Sequence, residues 1–185
     1  TLRGDELLGF GMGAGIAYSD MTSVTLRLSD GEDNLYIEST HVGETDILGG
    51  DEVNPGEGDT INIGAISGDT TVNAGGGDDV IRVNYDREGN QTFLSGVASS
   101  LRLDGGNGSD IFEIGLAGLG TATVDIQDTS SESDSSSDRV RIFGNDDANL
   151  FLFRANHASG LGVVASYEVD DALLPVAGGF LERVN

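Results

Sequence analysis

Residues 105–113 read Gly-Gly-Asn-Gly-Ser-Asp-Ile-Phe-Glu and match the nonapeptide pattern Gly-Gly-x-Gly-x-Asp-x-U-x, with U a large apolar residue, at every fixed position. The pattern constrains a fold strongly because it joins a turn to a strand. Its glycines admit backbone with positive φ, which other residues resist. Phe112 and Ile114 then alternate with polar neighbours, as in a strand with one buried face. A strand this short cannot bury that face alone, so the unit needs stacked copies of itself.

Copies are present. Residues 74–82 match with Ala74 in place of the first glycine. Residues 28–36 keep Gly31, Asp33 and Leu35, and residues 56–63 keep Asp59 and the strand with the glycines one place off. A looser fifth copy, Asp138 to Ile142, follows a serine-rich stretch. The aligned aspartates Asp33, Asp59, Asp79, Asp110 and Asp138 are 26, 20, 31 and 28 residues apart. A coil of two strict nonapeptides would repeat about every 18 residues, so the spacing predicts longer coils with inserted loops.

Each unit has one grammar. An alternating strand comes first (Val24/Leu26/Leu28, Thr70/Val72/Ala74, Leu101/Leu103, Val124/Ile126), and a glycine-aspartate turn follows. A second strand closes the unit: Leu35/Ile37, Ile61/Ile63, Ile81/Val83, Phe112/Ile114, Val140/Ile142. Asn62, Arg82, Glu113 and Arg141 alternate outward. No long segment carries a helical period, although residues 168–177 could form one turn near Pro175. The expectation is an all-β chain: a right-handed parallel β-helix or β-solenoid with Gly/Asp-rich turns and inserted loops.

That solenoid would be one domain over residues 1–185, cut from a longer chain, with residues 128–138 an exposed Ser/Asp-rich loop. The more apolar stretches 7–18 and 150–167 are expected to pack on neighbouring coils. Val184-Asn185 echoes Val83-Asn84, which hints that the array continues.

The formal net charge is −23. Nucleic acid is excluded as a partner, because binding it needs basic groups to displace phosphate counterions. Self-repulsion on this scale opposes a compact state unless cations neutralise it. There is no Cys, hence no disulfide or thiolate metal site. There is no Lys either, so all nine basic residues are Arg and lysine-based catalysis is excluded. No apolar run reaches the length of a membrane span.

The turns supply hard oxygen donors, the kind calcium takes. The candidate metal ligands are Asp110 with Gly105, Gly106, Asn107 and Gly108; Asp79 with Asp78, Gly75 and Gly77; Asp59 with Gly58; and Asp33 with Asp30. A bland reading competes with this one: an aspartate can cap its turn through the backbone and bind no metal. His41 and His157 read as surface residues, since no Gly-x-Ser-x-Gly nucleophile motif accompanies them. The adjacent acidic pairs Asp78-Asp79, Asp146-Asp147 and Asp170-Asp171 face opposite ways on a strand, which argues against a glycosidase pair. Arg3-Gly4-Asp5 is a three-residue match of the kind chance supplies.

At its nonapeptides the chain resembles the RTX family of exported calcium-binding repeats. More broadly it is similar to the repeat regions of very large bacterial surface proteins, in residues 8–19 leading into Val24–Ile37 and in Arg139–Arg154. The resemblance implies a secreted or cell-surface solenoid, stiffened by calcium and serving adhesion, matrix or spacer roles. It also implies ions shared between neighbouring turns, and the 59–79 spacing is the nearest to one coil. The uneven period, the degenerate Asp33 and Asp59 turns and the serine-rich insertion depart from it and leave the number of ion sites open.

The resulting expectation is a non-enzymatic, extracellular, calcium-binding structural module. Its partners would be calcium ions, neighbouring repeats or identical subunits placed end to end, and cell-surface glycans, without membrane insertion. Two other classes stand beside it: a polysaccharide-active β-helix domain, and a metal-free acidic spacer.

Overall fold

A computed structural model describes residues 1–9, 11–52, 56–92, 96–116, 123–130, 136–145, 149–155, 162–168 and 182–184, the last three stretches by their backbone. The chain is all-β, and no helix occurs among the described residues. No helix long and apolar enough to cross a membrane is therefore found among them.

Ten successive strands alternate between two parallel sheets. The first sheet takes β3 (Ser23–Arg27), β5 (Glu44–Leu48), β7 (Thr70–Gly76), β9 (Leu101–Asn107) and β11 (Thr123–Gln127). The second takes β4 (Asn34–Ile37), β6 (Thr60–Ile63), β8 (Val80–Val83), β10 (Ile111–Gly115) and β12 (Arg139–Phe143). One strand in each sheet makes one unit, as the sequence grammar requires.

The pairing registers put like positions in rows. Leu35, Ile61, Ile81 and Phe112 align across the second sheet, as do Ile37, Ile63, Val83 and Ile114. Leu26, Ile47, Val72, Leu103 and Ile126 align across the first. The inward rows of both sheets form a single apolar core. Each such side chain contributes about 1.5–3 kcal/mol by leaving water, which is why pairs of strands of four to seven residues hold only as a stack.

Glycine makes the coils stack closely at the corner after the first-sheet strands. A Cβ on Gly106 would lie 2.0 Å from the carbonyl oxygen of Gly75, and one on Gly75 would lie 1.9 Å from that of Gly50. Gly75 and Gly106 also hold φ near +106° and +94°. The sequence reading placed these glycines in a free turn. They instead lie inside β7 and β9, paired Gly75 to Gly106. The strands run on into the glycines because their backbones approach closely enough to continue the ladder.

The two ends depart from the repeat. Residues 7–18 were expected to pack on a coil, yet β1 (Glu6–Gly9) and β2 (Met12–Ala17) form an antiparallel hairpin. Leu2 bridges both Leu7 and Ile37 and closes the first coil, with Leu7 and Tyr18 packed behind it. Met12 and Ile16 on β2 stay 40% and 50% exposed.

At the other end β13 (Asn149–Ala155), β14 (Gly162–Glu168) and β15 (Glu182–Val184) join the first sheet. β13–β14 and β14–β15 pair antiparallel, while β15 lies parallel to β11, with Val184 beside Val124. Val140, read as inward, is 49% exposed because β12 is the edge of its sheet. Residues 131–135 of the serine-rich loop, residues 169–181 (all but the first of the expected helical turn), His157 and the pairs 146–147 and 170–171 lie outside the described residues.

Candidate functional site: a buried aspartate column

Each second-sheet strand begins just after an aligned aspartate, so the sheet register stacks the five aspartates as a column. Asp33 N–H donates to Asp59 Oδ1 at 2.8 Å, and Asp59 N–H donates to Asp79 Oδ1 at 2.6 Å. Asp79 N–H donates to Asp110 Oδ1 at 2.9 Å, and Asp110 N–H to Asp138 Oδ1 at 2.9 Å. The carboxylates of Asp59, Asp79, Asp110 and Asp138 thus each cap the coil before. The competing sequence reading had Asp capping its own turn; that holds at Asp33, which accepts from Ser29, whereas in the other four the cap runs between coils because the stacking brings the preceding N–H within reach. Hydrogen bonds to a charged acceptor contribute about 1.5–3 kcal/mol each.

The second oxygen of the middle members is different. Asp59, Asp79 and Asp110 are at most 1% exposed, and their Oδ2 atoms are buried with no hydrogen-bond partner. A Cβ on Gly105 would lie 1.9 Å from Asp110 Oδ2, so the glycine opening the full nonapeptide match makes room for the carboxylate of its own turn. Burial, then the neighbouring charges of Asp110, Asp59 and Glu52, pushes the Asp79 carboxyl up to about 8. Burial likewise raises Asp59 to about 6 against the offsetting Asp33 N–H bond, with Glu52 and Asp33 adding to it. Asp110 is raised to about 6 by burial, with Asp138, Asp128 and Asp78 adding to it. A buried row of like charges with free oxygens has two outlets: protons or cations.

The other candidate ligands fall into two groups. Gly75, Gly105, Gly106 and Asn107 belong to strands, while Gly58, Gly77 and Gly108 lie in the turns. Asp78 is exposed and its Oδ1 accepts from Ser109 N–H at 2.9 Å, forming a shorter ladder beside the column. Asp30 is exposed and Asp33 half-buried, the latter accepting from the Ser29 N–H and hydroxyl. Among the described residues no three acidic or histidine side chains gather closely enough to hold a metal ion by themselves.

Two features escaped the sequence. Glu52 lies beside Gly77, buried, with both carboxylate oxygens unpartnered; burial first, and then Asp30, Asp33 and Asp51, raises its pKa. No motif flags it, since it sits in a loop that breaks the nonapeptide. The second is a cluster of arginines, which the sequence reading missed. Glu113 pairs with Arg82 at 2.7 Å and Arg141 at 2.8 Å on the outer face of the second sheet. Positions 82, 113 and 141 become neighbours only through the register.

His41 is half-buried rather than a free surface residue: Nδ1 is 3.2 Å from the Thr45 hydroxyl, and its ring stands edge-on to Tyr18. Arg3 of the Arg-Gly-Asp tripeptide is tied to Glu6 and Glu38.

No protein-family model matches the chain, and neither a curated protein nor a solved structure matches it. The functional reading therefore rests on the sequence and the geometry.

Proposed function

We propose that this chain is a structural module of an extracellular surface protein: a right-handed parallel β-solenoid that takes calcium along its aspartate column. The handedness follows from the general preference for right-handed crossovers between parallel strands. The observation that carries the reading is the set of three buried, unpartnered oxygens on Asp59, Asp79 and Asp110. They are hard donors, and a divalent ion would compensate the charge that burial, and then the neighbouring carboxylates, disfavour. Asp59, Asp79 and Asp110 would hold the ions through Oδ2, with turn carbonyls completing the oxygen set that calcium needs. Bound calcium would supply neutralising charge and cross-link adjacent coils. A net charge of −23 fits a module that is loose without cations and rigid with them.

A metal-free acidic spacer is the second reading. It is favoured by the engagement of Oδ1 of Asp59, Asp79, Asp110 and Asp138 in the backbone ladder and by the lack of a three-side-chain metal cluster among the described residues. Protons would then neutralise the column.

Thermal unfolding followed by circular dichroism, in EDTA and then in millimolar calcium with magnesium as control, separates the two. A calcium-specific rise in midpoint supports the cation-stiffened module. Identical midpoints in all three conditions leave the spacer.

A further inference from the structure

The long connection between β8 and the first sheet sends residues 84–92 back over the outer face of the second sheet. Tyr85 bridges Gln91 and is buried, and Gly89 lies 3.8 Å from Arg82, measured from the position a Cβ would take. This lobe and the N-terminal hairpin enclose a cavity of about 490 Å³ whose polar lining includes Thr1, Arg3, Asp33, Asn34, Tyr36, Glu38 and Arg87, with Leu28 and Leu35 as apolar floor. A second cavity of about 140 Å³ continues past Tyr36 and Arg87 to Thr60 and Asn62. The larger lies within the roughly 300–1,000 Å³ typical of small-molecule sites.

Part of its polar lining is uncommitted. Among the described residues the Arg87 guanidinium has no ion pair, and neither the Tyr36 hydroxyl nor the Asn34 amide has a hydrogen-bond partner. Three unengaged polar groups of different kinds, one on a half-buried aromatic ring, converge on one hollow.

We propose that this hollow binds a neutral sugar, a mono- or disaccharide unit of a glycan. The Tyr36 ring offers an apolar face to the C–H side of a pyranose. Arg87 and Asn34 donate to sugar hydroxyls, and Asn34, Asp33 and Glu38 accept from them. Charge selects against the other small polar ligands. Arg3 and the Thr1 ammonium also line the hollow, but Arg3 is paired with Glu6 and Glu38 and Thr1 donates to the Leu8 carbonyl. Glu38, Asp86 and Glu88 lie near Tyr36 and, after burial, raise its pKa, so an anionic sugar meets carboxylates there. A cation meets Arg87. A neutral polyol is indifferent to both.

The test is saturation-transfer NMR on the 185-residue chain in EDTA, with methyl glycosides of glucose, galactose, mannose and N-acetylglucosamine, and with galacturonate as the charged contrast. The expected result is transfer to at least one neutral glycoside, weakened about tenfold or more by Arg87→Ala and by Tyr36→Ala. Arg87 is exposed, so its replacement leaves the fold intact. Three results would each overturn the site: no transfer to any neutral glycoside, undiminished transfer in both variants, or preferred binding of galacturonate. Because EDTA removes calcium, failure here leaves the calcium reading standing, and a silent calcium titration leaves this site standing.

Discussion

Two rows of charge cross the same five coils of the second sheet, only three residues apart along each strand. One is the column Asp33, Asp59, Asp79, Asp110 and Asp138; the other is the outward row Tyr36, Asn62, Arg82, Glu113 and Arg141. Both depend on the same register, and their electrostatics are opposite. The column is all of one sign, buried at Asp59, Asp79 and Asp110, and held by backbone N–H groups. The outer row buries Asn62, but toward its end it alternates in sign, and Arg82, Glu113 and Arg141 reach solvent and hold one another by ion pairs. Desolvation makes the difference. Inside, a carboxylate without a counter-charge is driven toward its neutral form, and Asp79 is pushed up to about 8. Outside, Glu113 faces two guanidinium groups and stays below its ordinary value although burial works against it. Charge thus has a structural consequence in the column and a small one on the face.

The largest effect should come from breaking the stacking that both rows share. Gly106→Ala puts a methyl group 2.0 Å from the Gly75 carbonyl oxygen at a φ of +94°. A loss of about 3 kcal/mol or more is expected in urea unfolding. A loss under about 1 kcal/mol would mean that the coils are not so closely stacked.

A medium effect should appear in the column, through pH. The folded carboxyls of Asp59, Asp79 and Asp110 lie above the ordinary 3.8, so the folded state binds more protons than the unfolded one. In EDTA their contribution is complete below pH 3.8 and is lost as pH rises through about 6 and then about 8. Melting temperature should therefore fall with rising pH across that window, and calcium should flatten the slope. Asp79→Asn keeps an oxygen for the Asp59 N–H but cannot ionise, so its melting temperature should decline less between the two steps. Asp79→Ala removes that acceptor and should cost about 1–3 kcal/mol at pH 5. Equal slopes in Asp79→Asn and the parent chain would place the titration elsewhere.

The smallest effect belongs to the outer row. Glu113→Gln removes both ion pairs with Arg82 and Arg141. Because these side chains are solvent-accessible, the expected loss is within about 1 kcal/mol, shrinking further in high salt. A loss as large as that of Asp79→Ala would erase the contrast between the rows.

Much of this was legible in the residues. The alternation in Leu35/Ile37, Ile61/Ile63, Ile81/Val83 and Phe112/Ile114 set their inward faces, since period two puts them on one side of a strand. The aspartates of the loosest copies align in the column as the full match does, because the turn-to-strand step recurs even where the glycines have shifted. The ends were less legible. Residues 7–18 alternate glycine with apolar groups, a pattern equally compatible with a coil or a hairpin, and Val140 has the sequence of an inward residue but the position of an edge. Glu52 could not be read, because it sits in a loop outside the repeat. The Arg82–Glu113–Arg141 cluster was missed although its signal was present: each member lies three residues after an aligned aspartate, which puts them in one row once the units stack.

The sequence by itself determined that the chain is all-β, where its short strands begin, which of their residues face inward, and that aspartates mark the turns. These are local matters of period and of glycine's freedom. Only the tertiary structure decided what the aspartates touch. Parallel stacking sets the carboxylates of Asp59, Asp79, Asp110 and Asp138 against the backbone N–H of the coil before, and buries the second oxygen of the first three. A linear chain carries its charges to the surface by default; stacked coils, spaced by the sheet ladder, bury one row of them and pair the next.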